Sequence, residues 1–546
     1  MAPARGIYKA AACTGMLTSS IALSTNTTIN ASYGFSNGAP MATIDQGVIH
    51  GFKDTHSNAV YLGIPFAAST GGENRWRPPQ DLPKSSRPFN ATSYGATCPQ
   101  APGQVAFTEL SEDCLNLNIW APPSGDNLPV FVYMYGGAMV TGSNANTQLQ
   151  GTNFARNGVV YVNFNTRESI FASPHSAELE RENPDESQNF SILDVDKALE
   201  WIQANIAAFG GNPAHIVFGG HSSGSVQVDH YLWNHPNTTL AGAVQMSANA
   251  LSGPAFAPRS EALNAVAAEH ACPLDGSGAI ACLRALPAST LLTSTFNKTL
   301  NTLFTPAIDN KTRHADYATR FAAGSYASHV PLLTGSSAGE GAIFALVYAA
   351  ENANFSSWIR SFDADVAHIP PQTLLAAYPA TNASTDSQRA GRQYGDARFT
   401  CAVTYLLRMR AAAQKTWAYR FFGAYDNVVG VPGTAPTHGT EVPFFHGGNE
   451  CFSGLENVTA AQQALADEVF GWFVEWVKEP GRGPGWERVR GEDGVVVGLG
   501  REGEEGERVE GRMGEFDAVC REVYEPAFPD YPKVQSIEGL LEGLGL

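Results

Sequence analysis

Short apolar runs recur along this chain, and each of them ends at or just before a Gly, Ser, Asn or Thr residue. Uninterrupted runs of this length are typical of strands that are buried on both faces of a parallel sheet. The strands predicted in this way cover residues 130–135, 159–163, 216–219, 241–246 and 330–334.

The stretches between these runs favour helices. The clearest helical pattern covers residues 193–208, where apolar side chains recur at helical spacing: Leu193, Val195, Ala198, Leu199, Ile202 and Ile206. This alternation of strands and helices predicts an α/β fold with a central, mostly parallel β-sheet flanked by helices.

Length and composition fit one large domain. The 546 residues are 43% hydrophobic and 16% charged, which is a globular composition with ample material for a core. No internal repeat and no Pro/Ser-rich linker divides the chain, so we predict a single domain over residues 25–546. Residues 479–514 are rich in Gly, Arg and Glu. They are predicted to form a solvent-exposed surface segment that contains no catalytic residue.

The chain is acidic, with a net charge of −18. Because phosphate binding needs a surplus of Lys and Arg, we predict no nucleic-acid partner. Solubility is the simplest consequence of the negative charge.

Residues 1–24 resemble a secretory signal. Arg5 and Lys9 precede a moderately apolar run without acidic residues, and Ala22-Leu23-Ser24 offers a small-residue cleavage site. A disordered N-terminal tail is the alternative. No later run reaches the ~18 apolar residues that a membrane span requires, so no integral membrane segment is predicted.

Cysteines and glycosylation sequons also favour an oxidising, extracellular compartment. Short spacing favours the bridges Cys98–Cys114 and Cys272–Cys282, although sequence alone does not prove the pairing. Loss of Cys13 with the signal leaves seven cysteines, so at least one lies outside a disulfide. Sequons that permit glycosylation begin at Asn26, Asn30, Asn90, Asn189, Asn237, Asn297, Asn310, Asn354, Asn382 and Asn457.

The predicted strand 216–219 leads directly into Gly220-His221-Ser222-Ser223-Gly224, and a helix can follow. This is G-x-S-x-G in a strand-to-helix context, where a strained turn exposes the serine hydroxyl and the glycines leave room for neighbouring backbone. The N-terminus of the following helix points at the same place. Ser222 is therefore the predicted nucleophile, and a Gly/Ser-rich loop is the alternative that the motif alone leaves open.

Three longer motifs accompany this turn: Phe209-Gly210-Gly211-Asn212-Pro213, Ser111-Glu112-Asp113-Cys114-Leu115-Asn116-Leu117-Asn118 and Tyr61-Leu62-Gly63-Ile64-Pro65-Phe66-Ala67. They resemble, in the family order, the type-B carboxylesterase/lipase family, which includes cholinesterases and several fungal lipases. The likeness extends from about Gly47 to Pro532. It implies the α/β-hydrolase fold, which agrees with the alternation of strands and helices.

The resemblance implies an oxyanion hole after the strand 130–135. There the chain reads Tyr135-Gly136-Gly137-Ala138-Met139, and by resemblance the backbone N–H groups of Gly137, Ala138 and Ser223 are the donors. The family usually has glycine where this chain has Ala138, and often phenylalanine where it has Met139. The methyl group of Ala138 is expected to narrow the floor of the site without removing the donor.

The resemblance also implies the acid and the base. Gly335-Ser336-Ser337-Ala338-Gly339-Glu340-Gly341 resembles the family's acid loop, and Pro436-Thr437-His438-Gly439-Thr440-Glu441-Val442-Pro443-Phe444 resembles its histidine segment. In the chain order serine, acid, histidine, His438 would take the Ser222 proton and Glu340 would orient the imidazole. The competing histidines are more often surface or packing residues: His215, His221 and His446.

The residues on either side of the nucleophile depart from the family pattern. The family usually has glutamate before the serine and alanine after it, where this chain has His221 and Ser223. The missing negative charge is expected to change the local electrostatics and the acid limb of the pH profile. This departure is not expected to prevent catalysis. It means that the substrate preference of the family is not transferred to this chain.

In the resemblance, Cys272–Cys282 matches a second bridge, Cys401 and Cys520 form a third, and Cys451 is the odd thiol. The first loop of relatives carries a lipase lid or the tryptophan that stacks on choline. Here that loop, residues 99–113, contains no Trp and only Phe107 as an aromatic residue. Interfacial activation and choline capture are therefore not expected.

The sequence thus predicts a secreted serine carboxylic ester hydrolase that acts through an acyl-enzyme on small or medium esters, with no cofactor and no metal. A lipase or sterol esterase is a close alternative, against which the short first loop argues. An acyltransferase or lactone-processing enzyme of secondary metabolism cannot be separated by sequence. The intact triad argues against a non-enzymatic adhesion protein, and the oligomeric state is left open.

Overall fold

The computed structural model describes residues 34–36, 38–100, 108–252, 258, 260–274, 277–297, 303–349, 354–356, 369–381, 385–428, 435–452, 455–491, 493–501 and 508–525. The predicted signal segment, residues 1–24, lies outside these residues, and so does Phe107. Within them, no helix is both long and apolar enough to cross a membrane.

The strands of the described ranges are short, as expected for a large sheet. In chain order they are β1 (Gly34–Ser36), β2 (Ala39–Ile44), β3 (Gly47–His50), β4 (Phe52–Lys53), β5 (Ala59–Pro65), β6 (Phe89–Asn90), β7 (Asn116–Ala121), β8 (Leu128–Met134), β9 (Val160–Phe164), β10 (Gly211–His221), β11 (Gly242–Met246), β12 (Leu332–Ser337), β13 (Thr416–Phe421), β14 (Val495–Leu499) and β15 (Arg508–Arg512).

Eleven of these strands form one sheet in the order β15-β14-β13-β12-β11-β10-β8-β9-β7-β5-β4. Neighbouring strands run parallel from β14 through β9 and antiparallel at both edges. The predicted α/β fold with a mostly parallel sheet is therefore confirmed. Four further strands form a small separate sheet in the order β1-β2-β3-β6.

Helices connect most of the strands of the large sheet. Those of the described ranges are α1 (Thr152–Arg156), α2 (Ala177–Glu182), α3 (Phe190–Asn205), α4 (Ser223–Asn234), α5 (Glu261–Glu269), α6 (Ala279–Arg284), α7 (Ala288–Asn297), α8 (Tyr317–Ala322), α9 (Ala342–Ala349), α10 (Pro371–Ala377), α11 (Asp386–Gly395), α12 (Cys401–Arg410), α13 (Val442–Phe445), α14 (Ala460–Lys478) and α15 (Met513–Phe516). Asp396–Thr400 and Cys520–Tyr524 form single π-helical turns.

All five predicted strands exist, with ends that shift by a few residues. The largest shift is in β10, which spans Gly211–His221 where residues 216–219 were predicted, so the strand runs to the motif serine without an intervening loop. The helix predicted over 193–208 is α3, and its last turn continues as a 3₁₀-helix over Ile206–Phe209. The apolar runs were informative because helices cover both faces of the sheet and leave no solvated side.

The prediction for residues 479–514 was wrong. This segment contains β14 and β15, which extend the large sheet at one edge, and every residue of β14 is buried. The apolar run of β14 is only five residues long and lies among charged and Gly-rich neighbours, so the composition of the whole window concealed it. β15 is mostly exposed and pairs antiparallel with β14, as suits an edge strand.

The structure contains three disulfides, at the cysteine pairs expected from the sequence. Cys98–Cys114, Cys272–Cys282 and Cys401–Cys520 have Cα–Cα distances of 5.0, 5.7 and 5.0 Å. Cys451 is buried outside any disulfide, and its Sγ lies 3.9 Å from the His446 carbonyl oxygen, to which it donates.

Candidate active site

Ser222 lies at the point where β10 ends and α4 begins. Its backbone has φ 57° and ψ −126°, a combination that residues other than glycine rarely adopt. Its N–H donates to the Met246 carbonyl at 2.9 Å, which ties the turn to the end of the neighbouring strand β11. The serine side chain does not cap α4, so the helix N-terminus keeps its amide groups for another acceptor.

The two motif glycines are required by close backbone contacts. A Cβ on Gly220 would lie 2.5 Å from the Gly224 carbonyl carbon, and a Cβ on Gly224 would overlap the carbonyl oxygens of Met134 and Tyr135. The first turn of α4 therefore packs directly against the end of β8. This contact places Ser222 beside the residues that follow β8.

We expect Gly224→Ala to lower the free energy of unfolding by about 1–3 kcal/mol, because the new methyl group meets rigid backbone. Gly471→Ala is the matched control, since Gly471 lies on the exposed face of α14 with no atom within 4 Å of the added carbon. The control should gain up to about 1 kcal/mol, because alanine favours helix over glycine. Denaturant unfolding measures both changes, and equal effects would contradict the packing argument.

Residues 135–139, here called the oxyanion loop, follow β8 and lie beside the turn at Ser222. Ala138 and Met139 have φ of 58° and 60°, in the left-handed region that glycine usually occupies. The loop is held by the Val140 N–H, which donates to the Gly137 carbonyl at 3.1 Å, and by the Ser169 N–H, which donates to the Met139 carbonyl at 2.9 Å. These bonds fix the backbone on which two of the three predicted donors lie.

Glu340 and His438 meet although they are far apart in sequence. Glu340 follows β12, and His438 lies in the segment 436–441, here called the histidine loop. The Glu340 Oε2 and His438 Nδ1 atoms are 2.5 Å apart, and Glu340 Oε1 accepts the Ser337 N–H at 2.7 Å. The carboxylate therefore fixes the orientation of the imidazole and leaves its Nε2 for other chemistry.

The His438 Nε2 atom is buried and has no hydrogen-bond partner among the described residues. Phe399 packs on the imidazole with ring centroids 4.3 Å apart, and Phe344 lies 5.4 Å away. Burial lowers the pKa of the His438 imidazole, although the charge of Glu441 opposes this. At neutral pH the histidine is therefore neutral and can accept a proton.

Burial raises the pKa of Glu340, and the positive charge of Arg420 opposes this. Arg420, in β13, donates to the Ser336 hydroxyl and pairs with Asp517 at 2.5 Å. Since a buried carboxylate is stabilised most by a neighbouring cation, Glu340 favours the state in which His438 is protonated.

Two further ionisable groups lie near His438. Glu441 is fully buried, and its two carboxylate oxygens accept hydrogen bonds from the Ser247 and Ser337 hydroxyls, each at 2.7 Å. His221 is buried beside it, with its ring centroid 4.5 Å from that of His438. The sequence singled out His221 as a departure from the family pattern, whereas Glu441 was given no role of its own within the histidine segment. Only their proximity in space shows that the two residues face each other.

The other two competing histidines lie elsewhere. His215 Nε2 contacts the Val477 carbonyl at 3.0 Å near the start of β10. His446 is buried, with Nδ1 at 2.9 Å from the Val442 carbonyl and Nε2 at 3.2 Å from the Tyr161 hydroxyl. Both are packing residues. Among the residues that the structure describes, no group of three or more His, Cys, Asp or Glu side chains could hold a metal ion.

The known proteins to which this chain is similar include lipases and esterases. The chain is 28% identical over 426 residues to a secreted lipase of Arthroderma benhamiae, a match that covers 72% of this chain and 74% of the relative. It is 29% identical to the fumonisin B1 esterase of Sphingopyxis macrogoltabida over 70% of this chain and 71% of that one. The para-nitrobenzyl esterase of Bacillus subtilis is 32% identical over 54% of this chain and 62% of its own.

A solved structure of a PNB esterase has the same fold. It superposes with a TM-score of 0.73 over 87% of this chain and 98% of its own, at 22% sequence identity. A sequence model of the carboxylesterase family matches residues 38–513. The chain therefore belongs to the carboxylesterase family and has the α/β-hydrolase fold, and its relatives support a carboxylic ester hydrolase activity.

Proposed function

We propose that the protein is a serine esterase that hydrolyses small or medium carboxylic esters through an acyl-enzyme on Ser222. The observation that carries this proposal is the arrangement at the carboxyl ends of the parallel strands. A strained serine stands between β10 and α4, and a histidine oriented by Glu340 presents an unpartnered, buried Nε2. These are the parts that nucleophilic acyl transfer requires.

In the proposed reaction, His438 Nε2 takes the proton of the Ser222 hydroxyl while the serine oxygen attacks the ester carbonyl carbon. The tetrahedral intermediate then collapses, the proton on His438 passes to the leaving alcohol, and an acyl-enzyme remains. A water molecule then attacks the acyl-enzyme in the same way and gives a proton to His438. When this second intermediate collapses, the carboxylic acid leaves and Ser222 regains its proton from His438. Glu340 stabilises the imidazolium in both halves.

We assign the backbone N–H groups of Gly137, Ala138 and Ser223 to the oxyanion that develops in each half. Gly137 and Ala138 lie in the oxyanion loop, and Ser223 is the first residue of α4. Because α4 has no side-chain cap, its N-terminal dipole also favours negative charge at this position. Removal of one such donor typically costs about 10²–10³ in kcat.

The test is hydrolysis of a series of p-nitrophenyl esters of increasing acyl length, with Ser222→Ala as the control. We expect the wild-type enzyme to act on short and medium chains and the Ser222→Ala variant to lose nearly all of this activity. If both proteins turned over the whole series equally slowly, the proposal would fail. Addition of an acceptor alcohol separates the alternatives, since an acyltransferase forms the new ester in preference to the acid.

A lipase activity is tested separately, because two relatives are named lipases. Interfacial activation needs an apolar flap that moves at the lipid surface, and the loop closed by Cys98–Cys114 is short for this role. We therefore expect the rate on a triglyceride to rise smoothly through its solubility limit. A sharp rise at that limit would replace the esterase proposal with a lipase.

We further propose that the protein is secreted, glycosylated and processed after residue 24. The three disulfides support an oxidising compartment. One sequon is excluded as a glycan site in the folded protein, because Asn189 is 2% exposed and donates to the Ala307 carbonyl at 2.8 Å. The exposed sequon asparagines of the described ranges are Asn90, Asn237, Asn310, Asn354 and Asn457.

A further inference from the structure

The imidazole of His221 lies between the oxyanion loop and the histidine loop. A Cβ added to Gly136 would lie 3.2 Å from His221 Nδ1, and one added to Gly439 would lie 3.3 Å from His221 Cε1. Both neighbours are glycines, and their missing side chains leave the space that the ring fills. His221 is therefore in close contact with the backbone on both sides of the catalytic machinery.

His221 faces two ionisable side chains across this gap. Its ring centroid is 4.5 Å from that of His438, and its Nε2 is 3.9 Å from Glu441 Oε1. This Nε2 is buried and makes no hydrogen bond within the described part of the chain. The distance to Glu441 is too long for a direct bond in the neutral state and short enough for an ion pair after protonation.

The remaining polar groups around His221 do not replace Glu441 as a partner. The Ser222 hydroxyl lies on the same turn, and Glu340 is already bonded to His438. Burial together with the charge of Glu441 raises the pKa of the Tyr133 and Tyr419 phenols, so they stay protonated. The Ser247 and Ser337 hydroxyls hold the Glu441 carboxylate in place.

We propose that His221 and Glu441 form a second histidine–carboxylate pair that controls the charge beside His438. This inference rests on the proposed esterase function. With His221 neutral, the negative charge of Glu441 supports the imidazolium that His438 becomes during each half-reaction. With His221 protonated, Glu441 is neutralised and a second positive charge stands against His438, so the enzyme is inactive. His221 thus acts through His438 as a positioning residue and does not itself touch the ester.

The direction of the titration agrees with this geometry. Burial lowers the pKa of His221, the charge of His438 lowers it further, and Glu441 opposes both. His221 is therefore neutral at neutral pH and gains its proton only in acid. The effect of the second pair is confined to the acid limb of the pH–rate profile, where His438 is also lost as a base.

The experiment is the dependence of kcat/KM on pH, measured from about pH 2 to about pH 8 with a p-nitrophenyl ester. This range covers both titrations, because burial lowers the pKa of His438 to about 4 and that of His221 to about 3. If both histidines must be neutral, the wild-type rate falls about tenfold per pH unit below the pKa of His438 and about a hundredfold per unit below the pKa of His221. His221→Gln keeps a donor toward Glu441 without a titrating charge, and His221→Phe keeps only the ring. The rate of both variants should fall only about tenfold per pH unit, because His438 is then the only histidine whose protonation stops the reaction.

Two controls make the result decisive. Tryptophan fluorescence and circular dichroism that stay unchanged at each acid pH exclude unfolding as the cause of the acid limb. Glu441→Gln removes the partner of protonated His221, so its acid limb should also fall about tenfold per pH unit. Its plateau should drop as well, because the imidazolium of His438 loses a stabilising charge.

An acid limb of the same steepness and midpoint in wild type, His221→Gln and His221→Phe would overturn the proposal, whatever their plateau rates. A role in packing alone lowers the plateau and leaves the profile unmoved. Failure of the esterase function is recognised separately, because Ser222→Ala would then retain the wild-type rate at neutral pH. With Ser222→Ala inactive and the profiles identical, only the second pair is disproved.

Discussion

Ser222→Ala is expected to lower kcat on the order of a million-fold, and His438→Ala should lower it to a similar extent. The two residues act as one unit, because a serine without a base is a weak nucleophile and a base without the serine has no proton to take. The double variant should therefore be no slower than either single one. What remains comes from binding and from the oxyanion loop.

The measurement is initial rate on the best p-nitrophenyl ester of the series, with thermal unfolding of each variant as a check on the fold. His215→Ala is the matched control, since His215 contacts the Val477 carbonyl away from Ser222 and its loss should leave kcat within about threefold. If the losses of the two single variants multiplied in the double variant, Ser222 and His438 would not share one step.

Asp194→Asn is expected to lower the free energy of unfolding by about 3–5 kcal/mol, because it leaves a buried guanidinium without its charge partner. Arg167 and Asp194 are 2% and 0% exposed and are joined by several hydrogen bonds, the shortest 2.6 Å from Arg167 Nη2 to Asp194 Oδ1. Asparagine keeps the shape of the side chain, removes its charge and replaces one acceptor oxygen with an NH2 donor that faces the donors of Arg167. Denaturant unfolding of the two proteins measures the difference.

The matched control lies two residues further along α3. Asp196 pairs with His235 at 2.9 Å, but both side chains are partly exposed, so Asp196→Asn should cost no more than about 1 kcal/mol. Similar losses in the two variants would show that Arg167 finds another partner when Asp194 is neutral. A fall in kcat is also expected for Asp194→Asn alone, since Ser169, two residues after Arg167, donates to the oxyanion loop at Met139.

Much of the scaffold could be predicted because its signals are local. Strands covered by helices on both faces must be apolar along their whole length, so β8, β9, β10, β11 and β12 were visible in the sequence. The strand-to-helix turn at Ser222 was visible for a different reason, since its glycines are imposed by backbone contacts within a few residues and with one neighbouring strand.

The misprediction of residues 479–514 marks the limit of such signals. β14 is a run of five residues, and its burial depends on pairing with β13 and on the core beneath it. A window dominated by Gly, Arg and Glu does not contain that information, because pairing with a distant strand outweighs local composition.

By itself, the sequence determined the class of fold, the positions of five main strands along the chain and the motifs that carry Ser222, Glu340 and His438. Only the tertiary structure decided which of the surrounding groups meet. Phe399 packs on the His438 imidazole, Arg167 pairs with Asp194, and His221 faces Glu441. The physical reason is that ring packing, hydrogen bonds and close ion pairs form only between groups a few ångströms apart, and sequence spacing does not encode such distances between separate loops.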